Sequence, residues 1–149
     1  MAVRDAVRGA LAGAAGTTAL DVVTYLDMVV RDRPPSSVPE DAVEKLAKGA
    51  GVSELGDGRR AGLGALLGYA AGLGIGTAYG AVRSRVRWSP PLPVAGVVLG
   101  LGAMAATDAP IVGLGISDPR EWGVSGVLSD VVPHIVYGVV TAATYDRLT

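Results

Sequence analysis

Asp130 and His134 stand one helical turn apart in an otherwise apolar stretch, and His134 is the single histidine of the chain. On a helix that spacing stacks both side chains on one face, so the carboxylate can hold a proton on the imidazole in a low-dielectric setting. Pro133 between them has no N–H and releases the carbonyl of Ser129 from its usual helical partner. Asp21 and Asp108 sit just past the middle of two further apolar stretches. Three chemistries are open to such a set. Protonated or hydrogen-bonded aspartates can tie helices together with Thr17, Thr24 and Thr107. Alternatively Asp21, Asp108, Asp130 and His134 form a proton relay or cation site, since ionisable groups inside a membrane mark such pathways. A metal or hydrolytic centre is the third, but one imidazole and a few carboxylates are a poor transition-metal set, so no metal ligand is expected.

Composition removes several classes. The absence of cysteine excludes a disulfide framework, a thiolate nucleophile, an iron–sulfur cluster and a Cys-type zinc site, and one histidine excludes bis-His haem within a chain. No cofactor is expected. With 13 Lys and Arg against 14 Asp and Glu the chain offers no general basic surface, and no nucleic acid partner is expected. Two enzyme-like strings fail on geometry. Gly123-Val-Ser125-Gly126 resembles the nucleophile motif of rhomboid-type intramembrane serine proteases, yet His134 lies about 13 Å further along the same helix and no second histidine exists. The string from Gly56 to Ala61 fits a loose dinucleotide pattern without the preceding strand or the acidic ribose partner. The chain is not expected to be an enzyme.

These residues must be positioned by helices in hydrocarbon. Of all the charged residues only Asp21, Asp27, Asp108 and Asp130 fall within the apolar stretches 9–30, 61–82, 94–116 and 123–145. A bilayer demands such segregation, because a charge at its centre costs at least ~2.5 kcal/mol. Each stretch is long enough to cross a core of about 30 Å at 1.5 Å per residue. The expected fold is therefore an all-α integral membrane four-helix bundle, residues 1–149 forming a single membrane domain. Arg83, Arg85, Arg87 and Trp88 close the second span as an interfacial anchor, while Trp122 and Tyr145 are expected at opposite interfaces of the fourth. The polar connector 31–60 is expected to hold a short helix, Pro39 to Lys48, opened by a capping box of Ser37 and Glu40. Its narrow face of Val43, Leu46 and Ala47 reads either as a membrane-surface helix or as a solvated connector.

Small residues recur along each span. Gly64, Gly68, Gly72, Gly76 and Gly80 repeat every fourth position through the second, and Gly9, Gly13, Thr17 and Asp21 do so in the first. Such stripes let backbones approach closely, within one chain or between copies in a homo-oligomer. Gly9 and Gly13 followed by Asp21 match Gly96 and Gly100 followed by Asp108 at equal spacing, which suggests an internal repeat of two helical hairpins. Basic residues divide almost evenly between the two sides. The dense short loop after Arg83 favours both termini being cytoplasmic.

Asp21 in a glycine-seamed first helix, the Pro34-Pro35 to Glu44 segment, Ala78-Tyr79-Gly80 and His134-Ile-Val-Tyr137-Gly138 look like small polytopic bacterial inner-membrane proteins of the YagU-like kind. The arginine-rich, phenylalanine-free composition also suits a GC-rich bacterial genome. The resemblance implies a cell-membrane location and a helix count, and no site residues follow from it. The expected role is a packing, assembly or accessory membrane component. Its partners would be the lipid bilayer and either a second copy or other membrane subunits. The alternative is a proton or cation channel or carrier using the intramembrane Asp/His cluster.

Overall fold

The computed structural model describes residues 2–86 and 90–149, so Arg87 and Trp88, expected to anchor the second span, lie outside the described residues. Among those residues the chain is helical throughout, with no strand. Helix α1 (Ala2–Arg31) ends where Asp32 turns to φ 49° before Pro34 and Pro35. Helix α2 spans Val38–Gly49, α3 Asp57–Arg83 and α4 Leu92–Gly113. A single 3-10 turn at Pro119–Glu121 leads through Gly123, at φ 60°, into α5 (Gly123–Leu148). Helix α5 runs on through Pro133, whose own ring is buried.

Three helices, α3, α4 and α5, are long and apolar enough to cross a membrane. This is a membrane protein, and the first expected span, 9–30 in α1, is not among those three helices. At 30 residues α1 is the longest helix, but Asp21, Asp27 and its glycines and threonines keep it outside that apolar group. Its place in the fold explains how it tolerates them. Helix α1 lies between α3 and α5, and α4 packs on the far side of α5, while α3 and α4 meet only over a short stretch. The arrangement is thus a curved row in the order α3, α1, α5, α4, with the least lipid-like helix sheltered inside.

Neighbours in the row run antiparallel and touch through missing side chains. A Cβ on Gly76 of α3 would lie 2.6 Å from the Gly13 Cα of α1, and one on Gly138 of α5 would lie 2.8 Å from the Gly100 Cα of α4. Gly16 faces the Tyr137 ring, where a Cβ would come within 2.9 Å. Close backbone approach of this kind supplies the van der Waals contact that associates helices in lipid. The regular glycine stripe of α3 does not serve one partner, however. Four residues advance a helix by about 40° more than a full turn, so the stripe winds around the surface. Gly72, Gly76 and Gly80 meet α1, Gly64 meets Pro39 of α2 at 3.2 Å, and Gly68 has nothing within 4 Å.

The interior is built from small and aromatic residues, with Ala12, Ala142 and Thr141 fully enclosed and Tyr137 and Tyr145 nearly so. The larger aliphatics point outward: Val30, Leu66, Val98 and Val124 are all exposed by two thirds or more. Only 17% of the apolar window of α3 is buried inside the protein. That surface suits hydrocarbon rather than water.

Two aromatic and capping expectations also change. Tyr145, at the end of the molecule that carries the Arg83 and Asp146 pair, turns into the protein rather than outward: its hydroxyl donates to the Gly80 carbonyl at 3.3 Å and its ring meets that of Tyr79 edge-on at 5.4 Å. It is drawn inward because Gly80 leaves a space in α3 that a large ring fills. Ser37 does precede α2, but its hydroxyl donates to Asp41 at 2.9 Å and caps no backbone N–H. With Ser37 already in the helical region of φ and ψ and Pro39 lacking a donor, the box has lost its geometry.

The ion pairs sort to the ends. At one end Arg83 meets Asp146 at 3.0 Å and Arg8 meets the buried Asp5 at 3.1 Å. At the other, Arg31 and Arg33 meet Asp27 at 3.1 and 2.5 Å, and Lys45 of α2 donates to the Leu114 carbonyl. The N-terminus, the segment after Arg83 and the C-terminus therefore share one end of the molecule.

Candidate functional site

Because the row of helices curves, α1, α3, α4 and α5 enclose a cavity of about 460 Å³. Helix α2 covers one end of it. Ala42 and Val43 of α2 are buried against the rest of the protein, and Pro39 and Glu40 reach the cavity edge. Its position is latched by Glu44, which lies 2.7 Å from Arg60 of α3 and 2.6 Å from Lys48. The hydrogen bond from Lys48 and then that from Arg60 hold the Glu44 carboxyl below its ordinary 4.5. Of the expected apolar face of α2, Val43 is thus docked on the protein through the α3 contact, whereas Leu46 stays 55% exposed.

His134 faces this cavity from α5. Its Nδ1 lies 2.9 Å from the Asp130 carbonyl oxygen and 3.1 Å from the Asp130 carboxylate. A carbonyl can only accept, so the proton sits on Nδ1 in the neutral ring and Nε2 is left as the basic nitrogen. That nitrogen is 3.5 Å from the Thr107 hydroxyl of α4, which itself donates to the carbonyls of Met104 and Ala103 at 3.0 and 3.1 Å. Asp108, one residue on, faces both Asp130 and His134 across the α4 and α5 seam. The seam is close enough for this only because Gly96, Gly100 and Gly138 carry no side chains.

Asp21 is separate from that trio. It stands on the α1 wall of the cavity and accepts a hydrogen bond from Tyr69 of α3. The structure therefore brings Asp108, Asp130 and His134 into one group and sets Asp21 on another wall of the same space. Among the expected glycines Gly72 borders the cavity floor beside Thr17, and Gly64 and Gly68 form part of its α3 wall.

Several participants were not evident from residue spacing. Tyr25, Tyr69 and Tyr137 project into the cavity from three helices, and Tyr137 crosses past α1 to donate to the Gly72 carbonyl at 2.7 Å. Tyrosines among apolar residues carry no periodic signal that separates them from interfacial ones. A polar knot at the α2 end was also unseen. There Asp27 accepts from Arg31, Arg33 and Ser129, and Arg31 reaches both Ser125 and Ser129 of α5. Asp27 and Arg31 at helical spacing were its only visible trace. Ser125, the residue of the protease-like string, is thereby an acceptor for Arg31 and is not paired with His134.

Among the described residues no group of three or more acidic, histidine or cysteine side chains is arranged to hold a metal ion. No protein-family model matches the chain, nor does any curated protein or solved structure.

Proposed function

We propose that the chain is a proton-handling membrane protein, a small carrier or channel in which His134 passes protons between the cavity and the Asp130 and Asp108 carboxyls. The observation that carries this reading is the placement of His134. Its Nδ1 is fixed on Asp130 while its ring borders a cavity that also holds Asp21. A ring held by one nitrogen, with the other beside the Thr107 hydroxyl at the cavity, is the arrangement a proton shuttle needs. One Asp130 oxygen, Oδ2, is buried with no hydrogen-bond partner, leaving an acceptor for a proton arriving from Asp108. Under this reading α1 is a fourth span, shielded by α3 and α5, and both termini face the cytoplasm of a bacterial cell. The matched crossings of Gly9 and Gly13 on α3 and of Gly96 and Gly100 on α5 support a two-hairpin repeat.

The test is proton flux into liposomes carrying the purified protein and an internal pH-sensitive dye. Flux that disappears in Asp130→Asn and in His134→Ala is the expected result. Parent protein that is as tight to protons as empty liposomes overturns the reading.

A packing or assembly role is the second reading, and the bonds from Tyr69 to Asp21 and from Ser129 to Asp27 favour it because each ties α1 to a neighbour. It requires no flux, and it predicts that loss of either carboxylate lowers stability alone. Self-association through Gly72, Gly76 and Gly80 is not part of either reading, because those glycines already face α1.

A further inference from the structure

The cavity has a definite charge preference. Asp21 stands on its wall and Glu40 at its α2 end, whereas none of the residues lining it is lysine or arginine. Most of the remaining wall is apolar or aromatic and includes Tyr25, Met28 and Tyr69, the last hydrogen-bonded to Asp21. Its volume of about 460 Å³ falls within the range of roughly 300–1,000 Å³ typical of small-molecule sites.

We propose that this cavity binds a lipophilic organic cation, an amine or quaternary onium carrying aromatic or alkyl groups. Asp21 supplies the opposing charge and the Tyr25 and Tyr69 rings supply faces for the cationic centre. Other occupants fit the wall less well. An anion would meet Asp21 and Glu40, with only His134, already held by the Asp130 carboxylate, to offset them when its ring is protonated. A hydrated metal ion would need a shell of oxygen ligands to replace its water, and no such group is present among the described residues. A neutral lipid chain would leave the Asp21 carboxylate with the Tyr69 hydroxyl as its partner and no opposing charge, a costly arrangement in hydrocarbon. A route of entry would lie between α3 and α4, which scarcely meet and where Gly68 on the cavity wall presents no side chain. The proposal rests on the cavity described under the proposed function, and a bound cation that displaces a proton from Asp21 would couple the two.

Equilibrium binding of radiolabelled tetraphenylphosphonium to the full-length protein in detergent tests this without any gradient. Saturable binding at one site per chain is expected, and tetraphenylborate, of nearly equal shape and opposite charge, should not compete. Asp21→Asn should weaken binding by at least about thirtyfold, as removal of one partner from a desolvated charge pair does. Asp21→Glu should restore it. Tyr25→Leu, at an exposed position where folding is not at stake, should weaken it by about three- to tenfold. Absence of saturable binding, competition by tetraphenylborate, or parent-like affinity in Asp21→Asn overturns the proposal. If Asp21→Asn does not fold, parent-like affinity in Tyr25→Leu or failure of a folded Asp21→Glu to bind overturns it. Binding without proton flux refutes the proton reading and leaves this one standing, while flux without charge-selective binding does the reverse.

Discussion

Adding one methyl group at Gly76 should loosen the whole row of helices. The new Cβ would sit 2.6 Å from the Gly13 Cα and 2.8 Å from the Gly13 nitrogen, both backbone atoms that no rotamer change can move. Ordinary contact begins near 3.5 Å, so α1 and α3 must separate by close to an ångström along a seam shared with Gly9, Gly72 and Gly80. Forced repacking of this kind costs about 1–3 kcal/mol. The better helix propensity of alanine returns roughly 0.5–1 kcal/mol. A net loss of up to about 2.5 kcal/mol is expected for Gly76→Ala. Gly74, in the same helix with nothing within 4 Å, is the matched control, and Gly74→Ala should be neutral or stabilising by up to about 1 kcal/mol. Titration of detergent micelles with SDS, followed by aromatic fluorescence, compares the two midpoints. Equal stability of Gly76→Ala and Gly74→Ala would refute the claim that missing side chains set the α1 and α3 spacing. A change confined to the apparent mass of the detergent complex would instead place that seam between copies.

Other perturbations probe different contacts. Tyr137→Phe removes a buried 2.7 Å hydrogen bond to the Gly72 carbonyl and should lower stability by about 0.5–1.5 kcal/mol in the same titration; an unchanged midpoint would mean that ring packing alone holds α5 against α3. Glu44 has a folded-state pKa below its ordinary 4.5, so its contribution to α2 docking is complete above about 4.5 and fades as the pH falls through the lowered value. Hydrogen exchange in α2 should accelerate there, and Glu44→Gln should exchange rapidly at every pH; acid release that persists unchanged in Glu44→Gln would exonerate this latch. Because the protein has no cysteine, single replacements report sidedness cleanly. Ser84→Cys and Thr149→Cys should react with a membrane-impermeant maleimide from the same side, and Ser53→Cys from the other. Val3→Cys, ahead of most of α1 and 79% exposed, should react from the side of Ser84→Cys; its labelling from the side of Ser53→Cys would remove α1 as a span.

Charge placement made the helical, membrane-adapted character of the chain readable from residue order, since a polypeptide that must bury backbone polar groups in hydrocarbon has few options besides helices. The pairing of Asp130 with His134 was equally legible, because both lie on one helix and an interval of one turn dictates contact. Asp108 could be named as an intramembrane acid, yet its approach to that pair depends on how closely α4 and α5 cross.

Local periodicity settles which residues share a face of a helix; it does not say which neighbour that face meets. The glycines of α3 show the difference. Their spacing announced close packing, but the packing is divided among α1, α2 and the cavity because the stripe winds about the helix and the row curves. Nothing in the order of residues required α1, the least apolar of the long helices, to lie between α3 and α5. That choice belongs to the assembled fold, where Asp21 and Asp27 gain partners from other helices. The cavity follows from it, since a space enclosed by several helices is a property of their crossings and of no single segment.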